Sequence, residues 1–159
     1  MHFKEDVVVN KFSHIYIEEE MKDNAMTKKI TSFFPHASKI IIHDYRDVFN
    51  RRKQSHAHQK SSQNLILAKK KNDFLYPSSP VCQSFDYENF YYTTTMMNCI
   101  YDCEYCFLKG MYPSGNLVIF VNIEDFLHEI ENRLKEHSIY LCVSYDTDML
   151  ALEPITQYA

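Results

Sequence analysis

The chain has 159 residues, a formal net charge of −4, 45% hydrophobic and 24% charged residues, proportions that place it with globular chains and exclude the disordered and collagen-like classes. No apolar run approaches the roughly 18 residues of a membrane span, the densest being Leu117-Val118-Ile119-Phe120-Val121, and Met1-His2-Phe3-Lys4-Glu5-Asp6 lacks a signal-peptide pattern. A cytoplasmic protein with no membrane partner is therefore expected, in which five cysteines, three of them within eight residues, fit a metal site better than a disulfide framework.

In chain order, residues 13 to 18 read as a short strand and 19 to 33 as a helix that Pro35 stops. Ser38 to His43 is an isoleucine-rich strand, and 44 to 52 adds a helical turn or two. Residues 50 to 63 carry no large apolar side chain to anchor them, which predicts a mobile basic loop. Asn64 to Ala68 is the next strand, and Pro77-Ser78-Ser79-Pro80 marks a turn. The expected boundary falls there, with an N-terminal α/β unit over 1–80 and a second unit over 81–159.

Beyond the boundary, the aromatic and β-branched run Phe90 to Thr95 predicts a strand that delivers the chain to Cys99. Leu117 to Val121 is a strand, and Asn122 caps a helix whose apolar residues Ile123, Phe126, Leu127, Ile130 and Leu134 share one face. Ser138 to Ser144 closes a right-handed βαβ unit with parallel pairing. Two glycines, Gly110 and Gly115, both lie just after the cysteine cluster, so that loop needs backbone freedom that other loops do without.

Charge is distributed unevenly. Residues 46 to 71 hold eight Lys/Arg against one acid, Asp47, so this segment is +7 and the remainder −11. Phosphate neutralisation is one use for such a segment, but residues 50 to 73 contain no aromatic platform for base stacking, which favours a solvated loop. His56 and His58 lie in it without a carboxylate to orient them as metal ligands.

The chemistry concentrates in Cys99-Ile100-Tyr101-Asp102-Cys103-Glu104-Tyr105-Cys106, a Cys-x3-Cys-x2-Cys pattern on one loop, 99–106. Three thiolates this close can wrap an iron–sulfur core and leave one iron open to a small molecule. Zinc is the rival metal, its fourth ligand coming from Cys82, Cys142 or a histidine, and would make the chain a non-catalytic zinc-binding α/β module. A third reading is an inert remnant of a cluster protein.

At these residues the chain resembles the radical S-adenosylmethionine enzymes, and Cys103-Glu104-Tyr105-Cys106-Phe107-Leu108 resembles the spore photoproduct lyase family of DNA-repair lyases. The segments 117–126 and 144–156 are similar to those that follow the cluster in that family, and the specific match covers about residues 82 to 156. The resemblance implies an α/β chain ending in the first βαβ portion of a radical SAM partial barrel. It implies a [4Fe-4S] cluster on Cys99, Cys103 and Cys106, with S-adenosyl-L-methionine chelated to the open iron and cleaved to a 5′-deoxyadenosyl radical that reverses a thymine dimer. Tyr105 would pack near the adenine. Tyr145 occupies the position of the family's hydrogen-donating cysteine, and Phe107 stands where the family often has tyrosine. Damaged DNA and an electron donor such as flavodoxin or ferredoxin are the implied partners. Only 53 residues follow Cys106, whereas a six-unit barrel at about 30 residues per βαβ step needs well over a hundred. The resemblance therefore implies a truncated core with a missing C-terminal half.

Overall fold

The computed structural model describes residues 11–79 and 83–159; Cys82 and the first six residues lie outside them. Strand β1 (His14–Glu18) leads through a 3-10 turn at Glu19–Met21 into α1 (Ala25–Ser32). The single helix expected over 19–33 is divided because Asn24 is extended and caps α1, its side chain accepting from the amides of Met26 at 2.8 Å and Thr27 at 3.3 Å. There follow β2 (Ser38–Ile42), α2 (Arg46–Phe49), α3 (His56–Ser61), β3 (Leu65–Ala68), β4 (Tyr76–Pro77), β5 (Phe90–Tyr92), β6 (Met96–Met97), β7 (Leu117–Phe120), α4 (Ile123–Glu136), β8 (Tyr140–Cys142), a 3-10 turn at Met149–Leu152 and α5 (Glu153–Thr156).

The main sheet has the order β2-β1-β3-β7-β6, parallel except where β6 runs against β7. Its central strands are covered on both faces, as the apolar run Leu65-Ile66-Leu67-Ala68 requires. Period two divides the side chains: Ile15, Ile17, Leu65, Leu67, Leu117 and Ile119 enter one core, while Ile66, Ala68, Val118 and Phe120 enter the other with Phe49 and Phe126. Because β3 and β7 are hydrogen-bonded neighbours, the boundary near residue 80 divides the sequence and not this sheet.

Several sequence expectations require correction. Leu117 to Val121 and Ser138 to Ser144 do not pair as one βαβ unit. The second edge of β7 is taken by β6, and β8 instead lies parallel to β5 in a second sheet, β4-β5-β8. Aromatic contacts clasp it there, Tyr140 stacking on Tyr87 at 4.6 Å and meeting Phe90 at 5.1 Å. The strand expected over 90–95 is correspondingly two strands: Thr93 N bonds to Cys142 O, whereas Thr95 O accepts from Phe120 N, so the threonines carry the chain from one sheet to the other.

Asn122 does not cap α4 with its side chain. It accepts from Lys70 N at 2.9 Å and donates to Lys70 O and Asp125 Oδ2, tying the end of β3 to the helix start. Of the expected apolar face only Phe126 is buried, edge-on to Phe74; Leu127 and Leu134 stay half exposed. No helix among the described residues is long and apolar enough to cross a membrane.

The segment expected to be a mobile basic loop is ordered in part. Residues 56–61 form α3, capped by Ser55, and the segment is held by polar rather than apolar contacts. The cationic run 69–71 is tied down as well: Lys69 and Lys71 reach Glu20, and Lys70 Nζ donates to the Tyr76 hydroxyl. The buried Glu18 carboxylate accepts the Tyr45 and Lys69 amides, joining the ends of β1, β2 and β3; burial raises its pKa and these two bonds partly offset the rise.

Candidate functional site

The cysteine loop springs from the end of β6 and returns at β7, so its base is fixed by adjacent strands. Buried Asn98, in the left-handed region at φ 65°, closes that base by donating to the Ser114 and Asn116 carbonyls, both at 2.7 Å. From α3 and the residue pair that follows it, Gln59 Oε1 accepts from Gly115 N at 2.8 Å and Ser114 Oγ at 3.1 Å. Gln63 Nε2 donates to the Gly115 and Cys99 carbonyls, and Lys60 Nζ also donates to Cys99 O. The lysine and the two glutamines carried no periodic or motif signal; only the tertiary fold sets them beside the loop.

The two glycines serve different needs. Gly110 takes φ 83°, where a side chain is strained. Gly115 lies against α3: a Cβ there would fall 2.7 Å from the His56 carbonyl oxygen and 2.9 Å from Lys60 N, both backbone atoms. Gly115→Ala is therefore expected to destabilise the chain by about 1–3 kcal/mol, the range for overpacking, and to push α3 off the loop. Urea denaturation measures the first effect and amide exchange of residues 56–61 the second; unchanged exchange there would show that the close approach is dispensable.

Within the loop, successive turns run from Cys103 O to Cys106 N, Cys106 O to Lys109 N and Leu108 O to Met111 N. All three cysteines are free thiols. Cys99 is buried and its sulfur accepts from Tyr101 N at 3.4 Å, Cys106 is half-buried, and Cys103 is exposed. Cys99 and Cys106 border one cleft with His56, Lys60, Asp102 and Lys109. The three sulfurs do not converge: among the described residues no three His, Cys, Asp or Glu side chains form a metal-holding group. Lys109 pairs with Asp102 at 3.1 Å and holds its carboxyl below the usual range.

Tyr145 stands beside this loop, its ring 4.9 Å from Tyr92 and 6.2 Å from Phe107, the residue after Cys106. Tyr105 is 92% exposed and touches no other ring among the described residues. Cys142 is half-buried on β8, opposite Tyr92. His56 borders the cleft while His58, two residues on, is exposed, so α3 does not pair them on one ligand. A residue that sequence reasoning missed is Asp146, buried next to Tyr145, whose Oδ2 accepts from Thr94 Oγ1 at 2.6 Å while Oδ1 has no hydrogen-bond partner among the described residues. Burial and the Asp146 charge raise the pKa of the Tyr112 phenol and keep it protonated.

No family profile and no curated protein matches the sequence. The fold is similar to that of spore photoproduct lyase complexed with dinucleoside spore photoproduct, with a TM-score of 0.70 and 16% identity. It is also similar to a mutant of that lyase with bound AdoMet and dinucleoside spore photoproduct, with a TM-score of 0.70 and 15% identity. Each likeness covers 92% of this chain and 43% of the other, so the chain spans less than half the length of these lyases. The mixed α/β fold with parallel strands is thus part of a spore photoproduct lyase fold.

Proposed function

We propose that the chain carries the cluster-binding part of a radical SAM enzyme of the spore photoproduct lyase kind, acting on damaged DNA, with residues 81–159 as the core and 1–80 supporting it. The observation that carries this reading is three free thiols on one loop whose base is stapled by Asn98, Gln59 and Gln63. The donor set fits a [4Fe-4S] cluster in ligand type and number, and one sulfur already accepts a backbone N–H, as cluster thiolates do. Cys99, Cys103 and Cys106 would hold it. When bound, such a cluster supplies the electron that cleaves S-adenosyl-L-methionine, received in turn from a donor such as flavodoxin or ferredoxin.

The chain's own residues then act on position and access. The stapled base fixes where the first ligand stands, and Phe107 and Tyr145 make an aromatic wall beside the last one. Tyr145 has a phenolic O–H, and its ring sits near enough to the loop to serve at the hydrogen-donor position. Tyr105, exposed on the loop, would fold onto the adenine. Thr94 holds Asp146, the residue after Tyr145, and so orients that segment.

The test is anaerobic reconstitution with iron and sulfide. About four irons per chain and a broad brown absorbance are expected. One tightly held zinc without sulfide would establish the zinc-binding module instead. Binding of an oligonucleotide carrying a thymine dimer in preference to its undamaged counterpart is the expected result for the substrate class, and equal binding would overturn that part.

A further inference from the structure

Two lysines reach the cysteine loop in a way that hydrogen bonding alone does not require. Lys60 Nζ donates to the Cys99 carbonyl and Lys11 Nζ to the Ile100 carbonyl, the next one along. Gln63 Nε2 already donates to Cys99 O at 3.1 Å, so a positive charge is not needed to satisfy it. Both lysines are half-buried, and neither forms an ion pair among the described residues. The carboxylate near them, Asp102, is paired with Lys109. Burial lowers the pKa of each ammonium group, and in Lys11 repulsion from Lys60 lowers it further. The groups that favour the charged form of Lys60 are Cys99, Asp102, Cys106 and Cys103, in that order. Partly buried cations without an ion-pair partner of their own are costly, and the acidic groups nearest Lys60 are Asp102 and the three thiols of the cysteine loop.

We propose that Lys11 and Lys60 are positioning residues that supply the counter-charge for a polyanionic group carried by Cys99, Cys103 and Cys106, and that they favour its more reduced, more negative form. This rests on the reading of those cysteines as cluster ligands. One electron from an external low-potential reductant such as dithionite adds one negative charge to the loaded loop. Two fixed cations beside it stabilise that added charge directly, in a setting screened less than bulk water.

The test compares wild type, Lys60→Gln and Lys60→Arg after anaerobic reconstitution, reading iron and sulfide content, the redox midpoint and the melting temperature with and without iron. Lys60→Gln keeps an amide donor and loses the charge. At a fixed solution potential its ratio of reduced to oxidised cluster should fall about ten-fold, equivalent to about 59 mV for a one-electron couple, and Lys60→Arg should restore it. Loss of iron in Lys60→Gln that Lys60→Arg repairs would support the same role; loss that it does not repair would overturn it. In the metal-free chain Lys60→Gln should melt no lower than wild type, because it removes a repelling charge, while in the loaded chain it should melt lower. An equal drop in both states would mark Lys60 as merely structural and overturn the proposal. Wild type that takes up cluster with the same midpoint as Lys60→Gln would overturn the counter-charge alone. Wild type that takes up no iron and sulfide would overturn the ligand reading and the counter-charge with it.

Discussion

Replacing Cys99, Cys103 or Cys106 singly by alanine is expected to take iron retention after reconstitution and desalting from about four per chain to less than one. A three-cysteine site has no spare ligand, since its remaining coordination position is the open one, so each loss leaves two thiolates that cannot enclose the core. The three positions differ in the metal-free chain. Cys99 is buried and bonded to Tyr101 N, whereas Cys103 faces solvent. Cys99→Ala should therefore also lower the melting temperature of the metal-free chain, and Cys103→Ala should leave it unchanged while still abolishing iron retention. Cys142→Ala, on β8 and outside the loop, should retain the wild-type iron content. Iron retained at half or more of the wild-type level in Cys103→Ala would remove that residue from the ligand set.

Leu67→Ala is expected to cost about 2–5 kcal/mol, the range for truncating a buried leucine, out of the roughly 5–15 kcal/mol that stabilises a domain. Leu67 is fully buried in the middle of the main sheet, paired with Ile17 on β1 and Ile119 on β7. The void left by its side chain would thus be walled on two sides by hydrogen-bonded strands that cannot collapse into it. Urea denaturation of the metal-free chain should show a lower midpoint at unchanged slope. Leu127→Ala, on the half-exposed side of α4, should stay within about 0.5 kcal/mol of wild type. Similar costs at the two positions would mean that α4 buries Leu127 in solution.

Much of this architecture is written in local pattern. The strands at β1, β2, β3 and β7 and the long helix α4 follow from runs whose side chains must be covered on one face or both, and burial of apolar surface enforces such runs wherever the chain places them. The cysteine spacing is equally local: eight residues confine three thiols to one loop in any fold. The need for glycine nearby was also legible, since Gly110 and Gly115 stand alone in the sequence.

What the pattern did not contain is which strand lies beside which. The apolar run Tyr140–Cys142 is compatible with pairing to Leu117–Phe120, but β6 takes that edge, and the contacts of Tyr140 with Tyr87 and Phe90 carry it to the second sheet. Nor does composition reveal order in residues 56–61, because the groups that fix them are amides and an ammonium whose partners lie 36 to 56 residues away. A polar segment without apolar anchors reads as solvated until its hydrogen-bonding partners are known, and hydrogen bonds carry no sequence periodicity. The grouping of Cys99, Cys103 and Cys106, the proposed ligands, was therefore determined by the sequence itself, through covalent proximity. The groups that hold the loop by hydrogen bonds, Lys11, Gln59, Lys60, Gln63 and Asn98, were decided only when the sheet brought distant segments together.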